Sequence, residues 1–283
     1  MNSPETLSRR SPSHVTKFLR GIGALLVIAG CRGDDVGSAI DDLSNPDSKI
    51  RLRASHELIR HDSAAVEPLI DRATTGSDSL RYISAQVLGR IGDRRALPAL
   101  KRLAEDSNEH VRRAALVGLG SMGDSGVFDY LVVILSEDAL PALRAAAAEG
   151  LATMGDTLAV AALVHALADT ASSVRKQAVM ALHRLWTQQA ETAIARVVTE
   201  DREAVVRFVA AQSLGQHRAA SARDPLRVAL RDSSVWVRAE AARTLGELGD
   251  VEAIEDLSLL LERGDDGPDH DAARQALQKL HTK

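Results

Sequence analysis

Apolar and polar positions follow one another along this chain with the rhythm of a helix, and that rhythm itself repeats. An aliphatic residue stands at Ile50, Leu80, Val111, Leu143, Val174, Val206 and Val237. A small residue follows four positions later, at Ala54, Ser84, Ala115, Ala147, Ala178, Ala210 and Ala241. Leucine follows eight positions later every time, at Leu58, Leu88, Leu119, Leu151, Leu182, Leu214 and Leu245. An α-helix turns once in about 3.6 residues, so offsets of zero, four and eight share one face. Each stretch therefore predicts a helix with one buried stripe, whose small central residue admits a close neighbour. Arginine comes directly after each aliphatic residue: Arg51, Arg81, Arg112, Arg144, Arg175, Arg207 and Arg238 are separated by 30, 31, 32, 31, 32 and 31 residues. Self-similarity at this period marks a stacked repeat.

Four of the repeats close this helix with a Gly-Asp step, at Gly92-Asp93, Gly123-Asp124, Gly155-Asp156 and Gly249-Asp250. Glycine supplies the backbone freedom of a helix exit, and aspartate can cap the helix that follows. A second apolar stretch comes next, as at Ala96, Leu97, Leu100 and Leu103. A polar turn then opens the next repeat, often Asp-Ser, as at Asp78-Ser79, Asp106-Ser107 and Asp232-Ser233. Each repeat thus reads as a helix–turn–helix pair that buries its apolar face only against its neighbours. No stretch alternates with period two for long enough to predict a sheet. The expected fold is all-α, a solenoid of about seven helix pairs. Ala39, Ile40 and Leu43 predict a lone second helix before the first repeat, and Ala273 and Leu277 a lone first helix after the last.

Aromatic residues make up only 2% of the chain, so its interior must be Ala, Leu, Val and Ile. With 35 Lys and Arg against 39 Asp and Glu the net charge is −4, which argues against nucleic acid as a partner. The seven arginines could form a phosphate rail. The structural alternative is that each reaches the Gly-Asp aspartate of a preceding turn and links repeat to repeat, and that is the expectation here.

The start of the chain carries a different signal. Arg9, Arg10, Lys17 and Arg20 lead into the segment Phe18 to Cys31, which reads FLRGIGALLVIAGC. Its apolar run is far shorter than the roughly 20 residues of a membrane-spanning helix. Ile28-Ala29-Gly30 before Cys31 resembles the lipobox of bacterial lipoproteins, whose processing cleaves before the cysteine and acylates its thiol. That resemblance implies a signal peptide over residues 1–30, a lipidated cysteine and short tether over 31–38, and the solenoid over 39–283. It implies attachment to the bacterial cell envelope, and Arg32, which is not the aspartate of inner-membrane retention, slightly favours the periplasmic face of the outer membrane over the inner membrane. Cys31 is the only cysteine, which excludes an internal disulfide or a multi-cysteine metal site.

The recurring D-S-x-V-R-x-x-A-x-x-x-L-G-x-L-G-D pattern resembles the HEAT repeat, in the short variety also found in phycobilin lyases. Asp232-Ser233, Val237-Arg238, Ala241, Leu245-Gly246 and Leu248-Gly249-Asp250 carry it most fully, and it covers about residues 39 to 280. Two enzymes share this repeat. Deoxyhypusine hydroxylase places His-Glu pairs two and three positions after the aliphatic residue to bind iron. Here those slots hold Leu52-Arg53, Tyr82-Ile83, Arg113-Ala114, Ala145-Ala146, Lys176-Gln177, Phe208-Val209 and Ala239-Glu240. The solitary His56-Glu57 pair lies elsewhere. Phycobilin lyases attach bilins to antenna proteins, a substrate that an exported lipoprotein would not meet. With no Gly-rich phosphate loop, HExxH or GxSxG, the chain is expected to perform no chemistry and to need no cofactor or metal.

Departures from the repeat rule are candidate sites. The fifth and sixth repeats replace the Gly-Asp step with Trp186-Thr187 and Arg218-Ala219. His183, Trp186, His217 and Arg218 thereby share one side of the stack, as an interface anchor or as loop drift with Trp186 filling vacated space. The two histidines, lacking a third ligand in register, are expected to face solvent singly rather than share a metal. Asp129 and Tyr130 fall on a second helix, where a partner could dock. The expected function is a membrane-anchored, monomeric scaffold for protein partners. A lyase-like or cofactor-binding protein, or an accessory to envelope polysaccharide or peptidoglycan, is the alternative.

Overall fold

A computed structural model describes residues 36–263 and 267–282 of the chain. The leader, Cys31 and most of the short tether lie outside these residues. Within them the chain is helix and turn, with no strand. It divides into two compact units, with the boundary at Pro68.

In the first unit, helix α1 (36–42) buries Val36, Ala39 and Ile40. Helix α2 (Ser48–His61) follows, N-capped by Asp47, whose side chain accepts from the Lys49 amide. Its stripe positions Ala54 and Leu58 are buried. Helix α3 (Ser63–Thr75) begins here and runs across the boundary.

The second unit alternates two kinds of helix. First helices are α4 (Asp78–Ile91), α6 (Glu109–Ser121), α8 (Pro141–Met154), α10 (Ser172–Arg184), α12 (Ala204–Gln216), α14 (Val235–Leu248) and α16 (Pro268–His281). Second helices are α5 (Leu97–Leu103), α7 (Ser125–Glu137), α9 (Ala159–Ala166), α11 (Gln188–Glu200), α13 (Arg223–Ala229) and α15 (Ile254–Leu261). Single 3-10 turns lead into α5, α13 and α15. Each first helix packs on the next, and from α7 to α13 each second helix packs on the next. This is the helix-pair array that the periodicity predicts. The stripe leucines from Leu88 to Leu245 are wholly buried, as is every small residue at offset four from Ser84 onward.

The Gly-Asp steps do two jobs. Gly92, Gly123, Gly155 and Gly249 adopt φ of 62 to 76°, the left-handed region that a side chain resists. Asp93, Asp124 and Asp156 then accept from the amides of Arg95, Gly126 and Leu158, capping the second helix. Backbones approach most closely at two glycine pairs: a Cβ on Gly89 would lie 2.4 Å from Gly118 Cα, and one on Gly120 2.5 Å from Gly150 Cα.

Candidate functional site

The arginine ladder is built at the edge where first helices begin. Arg81, Arg144, Arg175, Arg207 and Arg238 donate from Nε to Asp106, Asp169, Asp201, Asp232 and Asp269 at 2.6–2.7 Å. The first four add a second bond from Nη2, making the pair bidentate. Nη1 of each of these five donates to a carbonyl in the turn just before its own helix, as from Arg207 to Asp201. One guanidinium therefore fastens two consecutive inter-repeat turns. The aspartates also close their own turns, accepting from the amides of Asn108, Ala171, Glu203 and Ser234.

This corrects the expected pairing with the Gly-Asp aspartates. Those lie at the far end of the first helix, about 20 Å away at ~1.5 Å per residue, beyond the reach of a side chain at its start. Among the described residues, Arg51 and Arg112 make only the carbonyl half of the contact, to Asn45 and Pro46 and to Asp106 and Ser107 respectively. The Gly-Asp aspartates take other cations: Arg94 meets Asp124 at 2.8 Å, and Arg227 grips Asp250 with two bonds of 2.7 Å. The bond from Arg81, followed by burial acting the other way, leaves the Asp106 carboxyl below its usual range, and Arg144 does the same for Asp169. Burial pushes Asp201 and Asp232 up, but the bonds from Arg175 and Arg207 and from the turn amides outweigh it, and both lie below the ordinary value.

At the opposite edge the structure brings His183, Trp186 and His217 together. The Trp186 and His217 rings stack at 3.7 Å and 7°. His183 meets His217 edge-on at 4.5 Å. His217 Nε2 lies 3.0 Å from the His183 carbonyl oxygen, so this nitrogen carries the hydrogen and donates to the end of α10. The histidines are thus not solitary, and both are half-buried: the indole, in the place of the Gly-Asp step, stacks on His217, which in turn meets His183. Burial and, after it, His217 lower the pKa of His183, whose Nδ1 is buried without a partner. Arg218 turns the chain with φ of 52°, and its side chain is exposed. Asp129 and Tyr130 lie on α7, the first exposed and the second half-buried. Burial, then Glu105 and Asp138, raise the Tyr130 pKa. Neither joins the histidine cluster.

Grooves separate the second helices. One between α9 and α11, about 430 Å³, is floored by Val164, Leu167, Ala193 and Val197 and rimmed by Arg196 and Arg202. Arg202 escaped the repeat-based search, although the signal was present. It follows the turn aspartate where other turns have Ser107, Ala139, Thr170 and Ser233. Among the described residues, no helix is long and apolar enough to cross a membrane.

The pattern described as HEAT repeats matches residues 38–108, 66–139, 128–215 and 193–278. The chain belongs to the HEAT-repeat family. It is also similar to the phycocyanobilin lyase subunit alpha of a Nostoc strain, 33% identical over 107 residues. That likeness takes in 34% of this chain and spans 39% of the relative's length. Among solved structures, the Escherichia coli protein YibA aligns with a TM-score of 0.56 at 19% identity, over 98% of this chain and 100% of that one. The CpcE–CpcF complex of phycocyanin lyase from Nostoc gives 0.44 at 22% identity, over 86% and 93%. The YibA likeness shows the fold alone.

The curated relative corrects two expectations. A scaffold that performs no chemistry is not what the matched sequence points to, because the relative is a subunit of a lyase. The non-enzyme reading rested on missing motifs for hydrolysis and phosphate binding and on the expected export of the chain.

Proposed function

We propose that this chain is a lyase-like HEAT-repeat protein that holds a bilin-type chromophore. The observation that carries this reading is the 33% identity with a phycocyanobilin lyase subunit across 107 residues. The fold alone would not suffice, since one fold hosts many activities. The surface between second helices suits such a ligand: apolar floors of Val, Leu and Ala accept a flat hydrophobic body, and rim arginines accept acidic groups. The sequence has one cysteine, Cys31, and none among the helices. The helices themselves would therefore hold the chromophore without a thioether and leave that bond to an acceptor protein. Purified full-length chain mixed with phycocyanobilin should shift the pigment's visible absorbance and induce circular dichroism in it, and denaturant should release the pigment unchanged. Spectra identical to free pigment would end this reading.

The leader supports a second proposal, under which the acceptor of the chromophore would be an envelope protein and not an antenna protein. Basic residues, a short apolar run and Ile28-Ala29-Gly30 before Cys31 favour cleavage there, acylation of the thiol and an envelope location. Two or more acyl chains make such an anchor stable where one is marginal. Intact mass of membrane-fraction protein tests it, and an unmodified amino terminus that begins before Gly30 would refute it.

A further inference from the structure

We propose that the groove between α9 and α11 is a binding site for an elongated apolar molecule bearing carboxylates, with Arg202 as the principal carboxylate-binding residue and Arg196 as the second. The proposal rests on the chromophore reading above and locates the ligand.

Arg202 breaks the repeat rule, with a long cation where equivalent turns carry Ser107, Ala139, Thr170 and Ser233. Its guanidinium reaches back to the carbonyl oxygen of Thr170, the equivalent residue of the preceding repeat. It therefore spans the mouth of the groove. Among the described residues it bonds no carboxylate: its hydrogen bond goes to a neutral carbonyl, and the neighbouring Asp201, which feels its charge, is already bonded by Arg175. A carboxylate in that place would add the attraction of opposite charges to the hydrogen bond that the cation now gives a neutral oxygen. Among the described residues Arg196 is held by Glu200 alone, one turn along α11, through an exposed contact of 3.2 Å. Exposed pairs of this kind hold their partners weakly, so Arg196 can turn to a ligand.

The floor beneath is rigid and electrically settled. Arg175 and Asp201 neutralise each other there, and Arg175 also donates to the carbonyls of Asp169 and Thr170. The turn that carries Arg202 is thus fixed while its guanidinium remains exchangeable.

Neighbouring grooves lack this combination. Between α11 and α13 the arginines are already matched, Arg227 by Asp250 and Arg231 by Asp256 at 2.7 Å. Between α7 and α9 the lining holds no arginine. Only the α9–α11 groove, among these three, offers an apolar floor beneath an arginine without a carboxylate partner.

The test titrates full-length protein with biliverdin, a linear tetrapyrrole with two propionates, and with its uncharged dimethyl ester. Arg202→Ala should weaken biliverdin binding about tenfold or more, the loss expected for a charged hydrogen bond. Arg202→Lys should keep part of the affinity, and Arg231→Ala should bind as wild type. The dimethyl ester should be insensitive to Arg202→Ala. Circular-dichroism melts of the variants should match wild type, since Arg202 is exposed. Biliverdin binding that Arg202→Ala leaves unchanged would overturn the site but not the chromophore reading. Absence of biliverdin binding by wild type would overturn both.

Discussion

Arg175 and Asp201 belong to different repeats, yet they share two hydrogen bonds, Nε to Oδ2 at 2.7 Å and Nη2 to Oδ1 at 2.9 Å. Their side chains are only 5% and 4% exposed, which makes this the most enclosed rung of the ladder. Removing one partner leaves the other charged and buried, a loss of about 3–5 kcal/mol. Arg175→Ala should therefore lower the midpoint of urea unfolding sharply, and the double variant with Asp201→Ala should recover part of it. Arg112→Ala should cost less, because Arg112 makes only carbonyl contacts. Equal losses for the two single variants would count against the ladder as a source of stability.

Acid should loosen the same rungs. Asp106, Asp169, Asp201 and Asp232 all titrate below their ordinary value in the folded chain. The stability they contribute is complete above the ordinary carboxylate range and is lost as pH falls through their folded values. Glu240 acts in the opposite sense. Burial raises its pKa against the opposing Arg243, so its ionisation costs stability as pH rises from the ordinary to the raised value. The carboxylates of the ladder outnumber it, and the melting temperature should fall between about pH 5 and pH 2. Asp201→Asn should flatten that fall. A parallel drop in the variant and the wild type would exclude Asp201 as a contributor.

Glycine pairs set how closely first helices pack. A Cβ on Gly120 would sit 2.2 Å from the carbonyl oxygen of Gly150, where only backbone could move aside. Gly120→Ala should destabilise by about 1–3 kcal/mol or more, as overpacking does. Gly215→Ala meets only the Thr244 side chain, at 2.7 Å, and a side chain gives way more readily than backbone. Urea unfolding should rank Gly120→Ala as the costlier change.

Ser84 occupies an offset-four position where the other six repeats have alanine. It is wholly buried, and its hydroxyl has no hydrogen-bond partner among the described residues. Ser84→Ala removes an unsatisfied polar group without opening a cavity and should stabilise by about 1 kcal/mol. A lower melting temperature in that variant would show that the hydroxyl is satisfied in solution.

Most of the array was legible along the chain, because burial in a helix recurs at offsets set by local geometry. Leu88, Leu119 and their counterparts could be placed in the core from spacing alone, and Gly92 and Asp93 could be read as an exit and a cap. The acid partner of Arg81 could not. Asp106 lies 25 residues away, and its choice over Asp93 depends on which end of the helix each turn occupies. His183 and Trp186 were recognised as a departure from the rule, but their stacking with His217 needed the two repeats side by side. Arg202 was missed, although its residue type departs from the other turns, and only the folded chain shows it reaching Thr170 across a groove.

The amino-acid order by itself determined that this protein is a row of helix pairs and which residues fill its interior, since both follow from a period of about 3.6 residues and from where apolar side chains recur. Tertiary structure alone decided which charges meet, where glycine backbones touch and which groove carries an arginine without a carboxylate. Those relations join residues some 25 to 34 positions apart, and their geometry is fixed by how one repeat seats on the next rather than by any local preference of the chain.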